Sequence, residues 1–309
     1  MTELQKAIVS AAPSEAWRFD EPAARHTTMR VGGPIDALLL ATSAEDIALA
    51  RELAERLGVP FCVFGNGSNL LVRDGGLRGI AVKLANGFSA IEWPERDADD
   101  ACIEAQAGAL LPTLARGAIA RGLNMAWACG IPGTLGGAVT MNAGAYGGQM
   151  ADAVVSAEAL NEHGAYVRLA ADELAFGYRH SVLHERPLIL TRVWLRPARG
   201  DAAELEEEAR RLLDERARKQ PLEFPSCGSF FKRPPGDYAA RLIDAAGLRG
   251  FRVGNAAVSE KHAGFIVNLG GAAAAHILAL ADEVARRVFA ASGIRLEPEA
   301  AIVGEEASA

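Results

Sequence analysis

The feature that most constrains this 309-residue chain is a glycine-rich stretch, GIPGTLGGAVTMNAGAYGG, at residues 130 to 148. Glycine disfavours regular helices and strands because it loses more backbone entropy on folding than other residues. The stretch also contains many apolar residues, which argues against disorder. We therefore expect a long ordered loop of extended backbone, moulded around a bound ligand.

A second glycine-rich segment, FGNGSNLLVRDGG, occupies residues 64 to 76. We expect Gly65 and Gly67 to adopt positive φ, and successive N–H groups in such a turn form an anion-binding nest. The segment is not a P-loop, because no Gly-Lys-Ser/Thr ends it. It is not a dinucleotide fingerprint either, because the third glycine is missing. From these residues alone, a plain tight turn between strands is an equally open interpretation.

A third segment, SCGSFFKRPPG at residues 226 to 236, contains Ser229 between a glycine and two phenylalanines. Ser229 is a candidate nucleophile, a turn or helix cap, or a donor to a bound molecule. No histidine base stands beside it and no G-x-S-x-G pattern surrounds it, which disfavours the nucleophile. The other two interpretations stay open from the residues alone.

Between these segments the apolar pattern alternates between helix-like and strand-like periods, which predicts a mixed α and β architecture. The predicted helices cover residues 43–57, 111–122, 201–220, 237–246 and 272–291, and the predicted strands cover 61–64, 80–84, 153–160, 165–169, 187–195 and 294–303. The helix at 201–220 is dense in charge, and a second domain is expected to begin there. The long Ala/Leu helix at 272–291 is expected to pack in a core.

Composition excludes several functional classes. The net charge is −7 without any basic block, so a nucleic-acid partner is not expected. No apolar run approaches the ~20 residues that span a bilayer, and the N-terminus lacks a secretory signal, so we expect a cytoplasmic protein. The cysteines, at positions 62, 102, 129 and 227, lack zinc-binding spacing, and we expect reduced thiols and no metal site.

Six motifs follow one another in a specific order: GNGSNLLV, GIPGTLGGAVTMNAGAYGG, YRHS, GSFFKRP, SEKHAGFIVN and LEPE. In this order the chain resembles the UDP-N-acetylenolpyruvoylglucosamine reductases, the bacterial flavoenzymes called MurB, from about Thr27 to Gly304. The resemblance implies an α+β fold. Residues 1–200 would form a two-part FAD-binding domain of the vanillyl-alcohol-oxidase/PCMH type, completed by the C-terminal strand, and residues 201–309 a smaller α+β substrate-binding domain.

The resemblance also implies the cofactors and the reaction. NADPH would reduce FAD, which is expected to be non-covalent because no histidine stands in or beside the 65–69 turn. The enolpyruvyl group of UDP-N-acetylglucosamine enolpyruvate would then be reduced to UDP-N-acetylmuramate for peptidoglycan synthesis. Because charge accumulates as an enolate, the site needs a cation and a proton donor.

The resemblance assigns a role to each candidate site residue. Arg179 matches the residue that polarises the substrate carboxylate, Ser229 the proton donor, and Glu299 the third catalytic position. Glu297 is the alternative, two residues away and on the same face of a regular strand. The residues expected to bind FAD are Gly65, Asn66, Gly67, Ser68, Asn69, Ile131, Pro132, Gly133, Thr134, Gly136, Gly137, Asn142, Gly144 and Ala145. The residues expected to bind the UDP-sugar substrate are Tyr178, Lys232 and Arg233, and a monomer is expected.

The sequence departs from the family pattern in two places. Ala300 and Ala301 follow Glu299 where many relatives have Val-Arg, so an arginine that would help to order this strand is absent. The short path from Arg179 to the strand predicted at 187–195 leaves no room for an inserted tyrosine loop, which indicates the compact subclass.

Two rival functions remain at this point. One is a flavin oxidase or dehydrogenase acting on a sugar or lactone, which would need neither SCGSFFKRP nor LEPE. The other is a catalytically silent nucleotide-sugar-binding protein, which would be expected to lose Arg179, Ser229 or Glu299. All three residues are present.

Overall fold

Helices and strands alternate along the chain in the computed structural model, which describes residues 1–84, 87–94 and 102–307. The helices are α1 (Glu3–Ala11), α2 (Ala44–Leu57), α3 (Leu111–Ile119), α4 (Leu135–Thr140), α5 (Ala202–Lys219), α6 (Ala239–Ala245) and α7 (Ala274–Ser292). The strands are β1 (Trp17–Pro22), β2 (Pro34–Ala41), β3 (Phe61–Phe64), β4 (Leu70–Val72), β5 (Leu77–Leu84), β6 (Ile91–Glu92), β7 (Ile103–Gln106), β8 (Gly144–Ala145), β9 (Gly148–Gln149), β10 (Val154–Leu160), β11 (Tyr166–Ala170), β12 (Ile189–Leu195), β13 (Arg252–Val253), β14 (Ala256–Val258), β15 (Ile266–Asn268) and β16 (Ala301–Val303).

Local sequence signals determine the ends of α2. The Ser43 side chain accepts a hydrogen bond from the Asp46 N–H, and the Asp46 carboxylate accepts one from the Ser43 N–H, each at 3.1 Å. This reciprocal capping box satisfies donors that the first helical turn leaves free. Gly58 ends the helix with a φ of 62°. The helix predicted at 43–57 is therefore confirmed together with its caps.

Two predictions about secondary structure were wrong. The stretch at 130–148, expected to be extended, contains α4 and the β8–β9 hairpin. A helix forms there because the Gly136 N–H donates to the Ala107 carbonyl at 2.7 Å, and a Cβ on Gly136 would lie 3.0 Å from the Ala107 Cβ. Tertiary packing thus overrides the low helix propensity of glycine. The strand expected over 294–303 is present only as β16.

By backbone contacts the chain divides into two units, each assembled from several segments. The first unit comprises Met1–Arg18, Leu38–Asn66 and Ile80–Arg216, and the second comprises Phe19–Ala37, Gly67–Gly79 and Ala217–Ala309. The sequence predicted one domain boundary, between residues 200 and 201. That boundary stays a prediction, because the two units are a division by backbone contacts and each contains several segments.

The first unit is built on an antiparallel sheet with strand order β11-β10-β12-β7-β6. Across its centre Ala157 pairs with Val193, which pairs with Ala105, and all three are buried. Leu111 and Leu114 of α3 are fully buried as well. Because β3 is the last strand in a second sheet of order β1-β2-β5-β3, its residues are only half-buried, whereas the sequence predicted a buried strand.

The second unit contains the antiparallel sheet β13-β14-β15 and the parallel pair β4–β16. Its core includes Phe230, the largest fully buried side chain, and the inward face of α7 with Ile277 and Leu280. The Asp74 carboxylate accepts hydrogen bonds from the N–H groups of Ala274 and Ala275, at 2.7 and 2.8 Å, and so caps α7. The Ala/Leu helix therefore packs in a core, as predicted.

The structure also bears on two expectations from composition. None of the four cysteines, all within the described residues, forms a disulfide bond. Among the residues that the structure describes, no helix is long and apolar enough to cross a membrane.

Ser43→Ala tests the capping box. We expect the free energy of unfolding to decrease by ~1 kcal/mol, because the Asp46 N–H loses its acceptor. Urea denaturation followed by circular dichroism measures the change. Ser43→Asp, which keeps an acceptor at the same position, is the control and should unfold close to the wild type. Equal stability of the Ala variant would contradict the assigned cap.

Candidate active site

The first half of the turn at 65–69 packs on the glycine-rich stretch at 130–148, within the first unit. A Cβ on Gly65 would lie 2.0 Å from the Thr134 Oγ1, and the Asn66 Nδ2 donates to the Pro132 carbonyl at 2.8 Å. Gly65 does not have a positive φ, contrary to the prediction. Glycine is required at this position because the backbone approaches Thr134 closely, not because the turn is left-handed.

The second half of the turn lies in the second unit and contacts a segment that sequence reasoning missed. Gly67 has a φ of 62°, as predicted, and a Cβ there would lie 2.4 Å from the His26 carbonyl oxygen. The Thr28 N–H donates to the Gly67 carbonyl at 3.2 Å, and the Thr28 Oγ1 donates to the Ser226 carbonyl at 2.7 Å. Thr28 thus connects the glycine turn to the segment that carries Ser229. The available signal was the polar run HTT shortly before the Gly32-Gly33 pair.

The stretch at 130–148 ends in a tight hairpin within the first unit. Gly144 and Ala145 of β8 pair with β9, and the two turn residues, Tyr146 and Gly147, have φ values of 52° and 91°. Positive φ at both positions is the pattern of a type I′ hairpin turn. A Cβ on Gly148 would lie 2.4 Å from the Trp127 ring, so the indole packs directly on the hairpin backbone.

Asn142 connects this stretch to the turn that carries Arg179. Its side chain is buried, and its Nδ2 donates to the Gln149 Oε1 and to the Gly177 carbonyl, each at 3.0 Å. Its Oδ1 accepts from the Ala151 N–H at 3.0 Å. A cofactor-binding role for Asn142 stays a prediction, and in this structure both ends of its amide hold protein groups.

Tyr178 and Arg179 form the tip of a turn closed by hydrogen bonds between the backbones of Gly177 and His180, at 3.0 and 3.3 Å. Arg179 has a φ of 54°, a conformation that costs energy for a residue with a Cβ. The Ser181 Oγ donates to the Thr140 carbonyl at 2.8 Å and fastens the end of the turn. The guanidinium carbon of Arg179 lies 5.2 Å from the centre of the exposed Tyr178 ring. Backbone strain held at a candidate site residue supports a functional role for this turn.

In the second unit the structure pairs the backbone segments that carry Ser229 and Glu299. The Glu299 N–H donates to the Phe230 carbonyl at 2.8 Å, and the Phe230 N–H donates to the Gly264 carbonyl at 2.9 Å. Phe230 and Phe231 are buried, whereas Ser229 is exposed. Within the described residues no helix begins at Ser229, so it is not a helix cap. The buried phenylalanines anchor the segment and leave the serine at its surface.

Glu299 and Glu297, the two candidate glutamates, have different surroundings. Neither lies in a strand, contrary to the prediction. Glu297 is exposed, and its carboxylate lies 3.7 Å from the Lys232 Nζ. Glu299 is half-buried. Burial raises the pKa of the Cys227 thiol to about 12, so the thiol stays protonated and inert, and the Glu299 carboxyl group adds to this effect when it is ionised.

The cations next to Ser229 lie at the surface. Lys232 pairs with Glu297, and the guanidinium carbon of Arg233 lies 4.5 Å from the centre of the Tyr238 ring. Lys232, Arg233 and Tyr238 are all exposed. Two cations therefore lie side by side at the surface of this segment, each next to another protein group.

Arg216 is a further cation that sequence reasoning missed. In the first unit it lies against Gly130, where a Cβ would be 2.8 Å from the Arg216 Cδ. Burial lowers the pKa of the Arg216 guanidinium. The sequence placed Arg216 on a mixed helix face with Leu205, Ala209 and Leu212, and from that face we predicted a surface helix and no contact with Gly130.

Comparisons with known proteins identify relatives over nearly the whole chain. Residues 220–303 match the family described as UDP-N-acetylenolpyruvoylglucosamine reductase, C-terminal domain, and residues 35–170 match the FAD binding domain family. The UDP-N-acetylenolpyruvoylglucosamine reductase of Alkaliphilus oremlandii is 42% identical over 302 residues, which cover 97% of this chain and 98% of the relative. The enzyme of the same name from Rubrobacter xylanophilus is 45% identical over 292 residues, covering 94% and 96%.

The solved structures agree. The crystal structure of the MurB reductase from Thermus caldophilus superposes with a TM-score of 0.77 at 38% identity, covering 91% of this chain and 97% of that one. Together these matches confirm the predicted fold class, an α+β chain with an FAD-binding domain of the vanillyl-alcohol-oxidase/PCMH type and a smaller α+β domain.

Gly65→Ala tests the close approach to Thr134. We expect a loss of about 1–3 kcal/mol in the free energy of unfolding of the ligand-free protein, because the new methyl group overpacks the contact. Gly137→Ala is the matched control, since its Cβ would lie 3.6 Å from the same Thr134 Oγ1, an ordinary contact. Urea denaturation of both variants checks the prediction, and equal stability would contradict it.

Proposed function

The chain belongs to the UDP-N-acetylenolpyruvoylglucosamine reductase family, and from this premise we propose the roles of its residues in reducing UDP-N-acetylglucosamine enolpyruvate to UDP-N-acetylmuramate. Members of the family are oxidoreductases of peptidoglycan precursor synthesis that use FAD and NADPH. The observation that carries the proposal is the hydrogen bond from the Glu299 N–H to the Phe230 carbonyl, at 2.8 Å, which joins the segments of two candidate catalytic residues.

The residues present fit FAD. Gly65 and Gly67 let the turn pack tightly on the chain itself, because a Cβ would lie 2.0 Å from the Thr134 Oγ1 and 2.4 Å from the His26 oxygen. Within the described chain, the backbone N–H groups of Gly67 and Ser68 have no protein acceptor. Such N–H groups are suited to a phosphate. We assign the FAD pyrophosphate to this turn and the flavin to the 130–148 stretch.

When bound, FAD would supply the hydride chemistry that couples oxidation of NADPH to reduction of the enolpyruvyl double bond. The residues of the chain handle charge and the proton. Arg179 binds the substrate carboxylate through its planar guanidinium and stabilises the enolate that develops there. The Ser229 Oγ–H donates its proton to the adjacent carbon, which completes the saturated product, and the serine alkoxide left behind takes up a proton from solvent when the product leaves.

Ser229 is exposed in the ligand-free chain. A hydroxyl is a weak acid in water, so its role as a proton donor requires that bound ligands exclude solvent. Substrate and FAD would supply this cover together. Glu299 stabilises the developing charge as a hydrogen-bond donor or shares the proton with Ser229, and Lys232, Arg233 and Tyr178 bind the anionic and nucleotide parts of the substrate.

The match over residues 220–303 argues against the flavin oxidase as a rival, because it contains both Ser229 and Glu299. The retention of Arg179, Ser229 and Glu299 argues against a catalytically silent binding protein.

We further propose that the protein acts in the cytoplasm, with its nucleotide-sugar substrate, and as a monomer. Light scattering tests the monomer against the chain mass of 32.5 kDa.

The activity itself has a direct test. The purified protein, or its apoprotein reconstituted with FAD, should show a flavin absorption spectrum. NADPH should be consumed in proportion to UDP-N-acetylglucosamine enolpyruvate added, with UDP-N-acetylmuramate as the product. A protein that cannot be loaded with FAD, or that oxidises NADPH without using this substrate, would refute the proposed activity.

Ser229→Ala separates the two half-reactions. Reduction of the flavin by NADPH should proceed near the wild-type rate, because Ser229 takes no part in it. Reoxidation by substrate should slow by about 10²–10⁴-fold, the usual contribution of a positioned proton donor. Stopped-flow absorbance measures both steps. Collapse of flavin reduction, with reoxidation intact, would assign Ser229 a different role.

Arg179→Lys tests carboxylate binding. Lysine keeps the charge and has the same Cβ constraint at a φ of 54°. It loses the two parallel hydrogen bonds that a guanidinium can donate to the substrate carboxylate. We therefore expect weaker substrate binding and slower reoxidation, which together lower kcat/KM for the substrate by at least about tenfold. The KM for NADPH in flavin reduction should change little. An unchanged kcat/KM for the substrate would contradict the role of Arg179.

A further inference from the structure

We propose that Asn69 is a positioning residue for Glu299, linking the glycine turn to the catalytic glutamate. This inference rests on the proposed role of Glu299 in the reduction of the enolpyruvyl group. Asn69 is the last residue of the GNGSN turn, and the family resemblance implied that it binds FAD. The structure gives its side chain a different partner.

Two hydrogen bonds join Asn69 to the segment around Glu299. The Asn69 Nδ2 donates to the Glu299 carbonyl at 3.0 Å, and the Asn69 carbonyl accepts from the Ala301 N–H at 2.9 Å. The side chain and the backbone of one residue therefore hold both ends of the tripeptide that begins at Glu299. Both segments belong to the second unit.

The strand that follows extends this contact. Asn69 directly precedes β4, and β4 pairs in parallel with β16, where Leu70 lies opposite Ala301. The register of this pair determines which residue of the C-terminal segment stands opposite the end of the glycine turn. A slip of one residue would carry Glu299 away from Asn69 and turn its side chain to the opposite face.

On its other side Glu299 is held by the segment of the proton donor. Its N–H donates to the Phe230 carbonyl at 2.8 Å, and Phe230 is fully buried. Both backbone polar groups of Glu299 are therefore satisfied, one by the neighbour of Ser229 and one by the side chain of Asn69. Removing the Asn69 donor would leave a half-buried carbonyl without this partner and would loosen one of the two attachments.

The sequence suggests why this side chain matters here. Ala300 and Ala301 follow Glu299 directly. Alanine has no side-chain polar group, so the order of the segment depends on backbone pairing and on Asn69. A catalytic carboxyl group needs such support, because small displacements from the productive geometry lower the rate strongly.

The inference is tested with Asn69→Asp and Asn69→Ala. An aspartate side chain has nearly the same shape as that of asparagine but cannot donate to the Glu299 carbonyl when it is ionised. Asn255→Asp is the matched control, because the Asn255 Nδ2 also donates to a carbonyl, that of Gly271 at 3.4 Å, in the same unit and away from Glu299. Glu299→Gln is measured in parallel.

Four readouts are compared: the melting temperature of each apoprotein, the Kd for FAD from fluorescence titration, the rate of flavin reduction by NADPH, and the rate of reoxidation by substrate. We expect both Asn69 variants to slow reoxidation at saturating FAD by about tenfold or more, with flavin reduction at saturating FAD within about threefold of the wild type. The Asn69→Asp variant should also bind FAD more weakly than Asn69→Ala, because its carboxylate repels the pyrophosphate assigned to this turn. Asn69→Asp should also shift the pH profile of reoxidation upward, because a second carboxylate disfavours ionised Glu299. Asn69→Ala should not shift it.

The outcomes distinguish the two levels of inference. If Glu299→Gln reoxidises normally, the proposed role of Glu299 is wrong. In the next outcome, the flavin of Glu299→Gln is reoxidised slowly, while both Asn69 variants, saturated with FAD, are reoxidised at the wild-type rate. This outcome would refute the positioning role of Asn69 and leave the role of Glu299 intact. Loss of FAD affinity with normal reoxidation at saturating FAD would overturn the positioning role and make Asn69 a cofactor ligand only. If one variant does not fold, the other provides the same comparison.

Discussion

The backbone hydrogen bond between the Glu299 N–H and the Phe230 carbonyl, at 2.8 Å, is the contact on which the rest of the site depends. It joins a segment near the C-terminus to one in the middle of the second unit. Phe230 is fully buried, so this contact is anchored in a packed core, while the preceding residue, Ser229, lies at the surface. A rigid backbone under an exposed functional group is what a preorganised site requires.

The glycines around this site serve different physical purposes, although they look alike in the sequence. Gly65 and Gly130 are needed because other groups approach the backbone, the Thr134 hydroxyl in one case and the Arg216 side chain in the other. Gly147 is needed because the chain turns with positive φ, and Gly67 combines positive φ with a close approach to the His26 carbonyl. Only the second purpose can be read from local sequence, because close approach depends on a residue distant along the chain.

Arg179 is the opposite case: it carries a side chain, yet its backbone has the positive φ that favours glycine. Its φ of 54° is maintained by a turn whose two ends are fastened, by Asn142 at Gly177 and by Ser181 at Thr140. The energy of this strain is offset by buried hydrogen bonds elsewhere in the first unit. The arrangement supports the proposal that the direction of the guanidinium matters for function.

The sequence by itself determined the family, the candidate catalytic residues, and the elements whose signals are local, such as α2 with its Ser43 cap and Gly58 stop. The tertiary structure alone decided that a helix forms inside the glycine-rich stretch, that the strand expected over 294–303 shortens to β16, and that Asn69 and Asn142 hold protein groups. The reason is physical. Capping and turn signals act within a few residues, whereas packing and side-chain hydrogen bonds join positions that only the fold brings together.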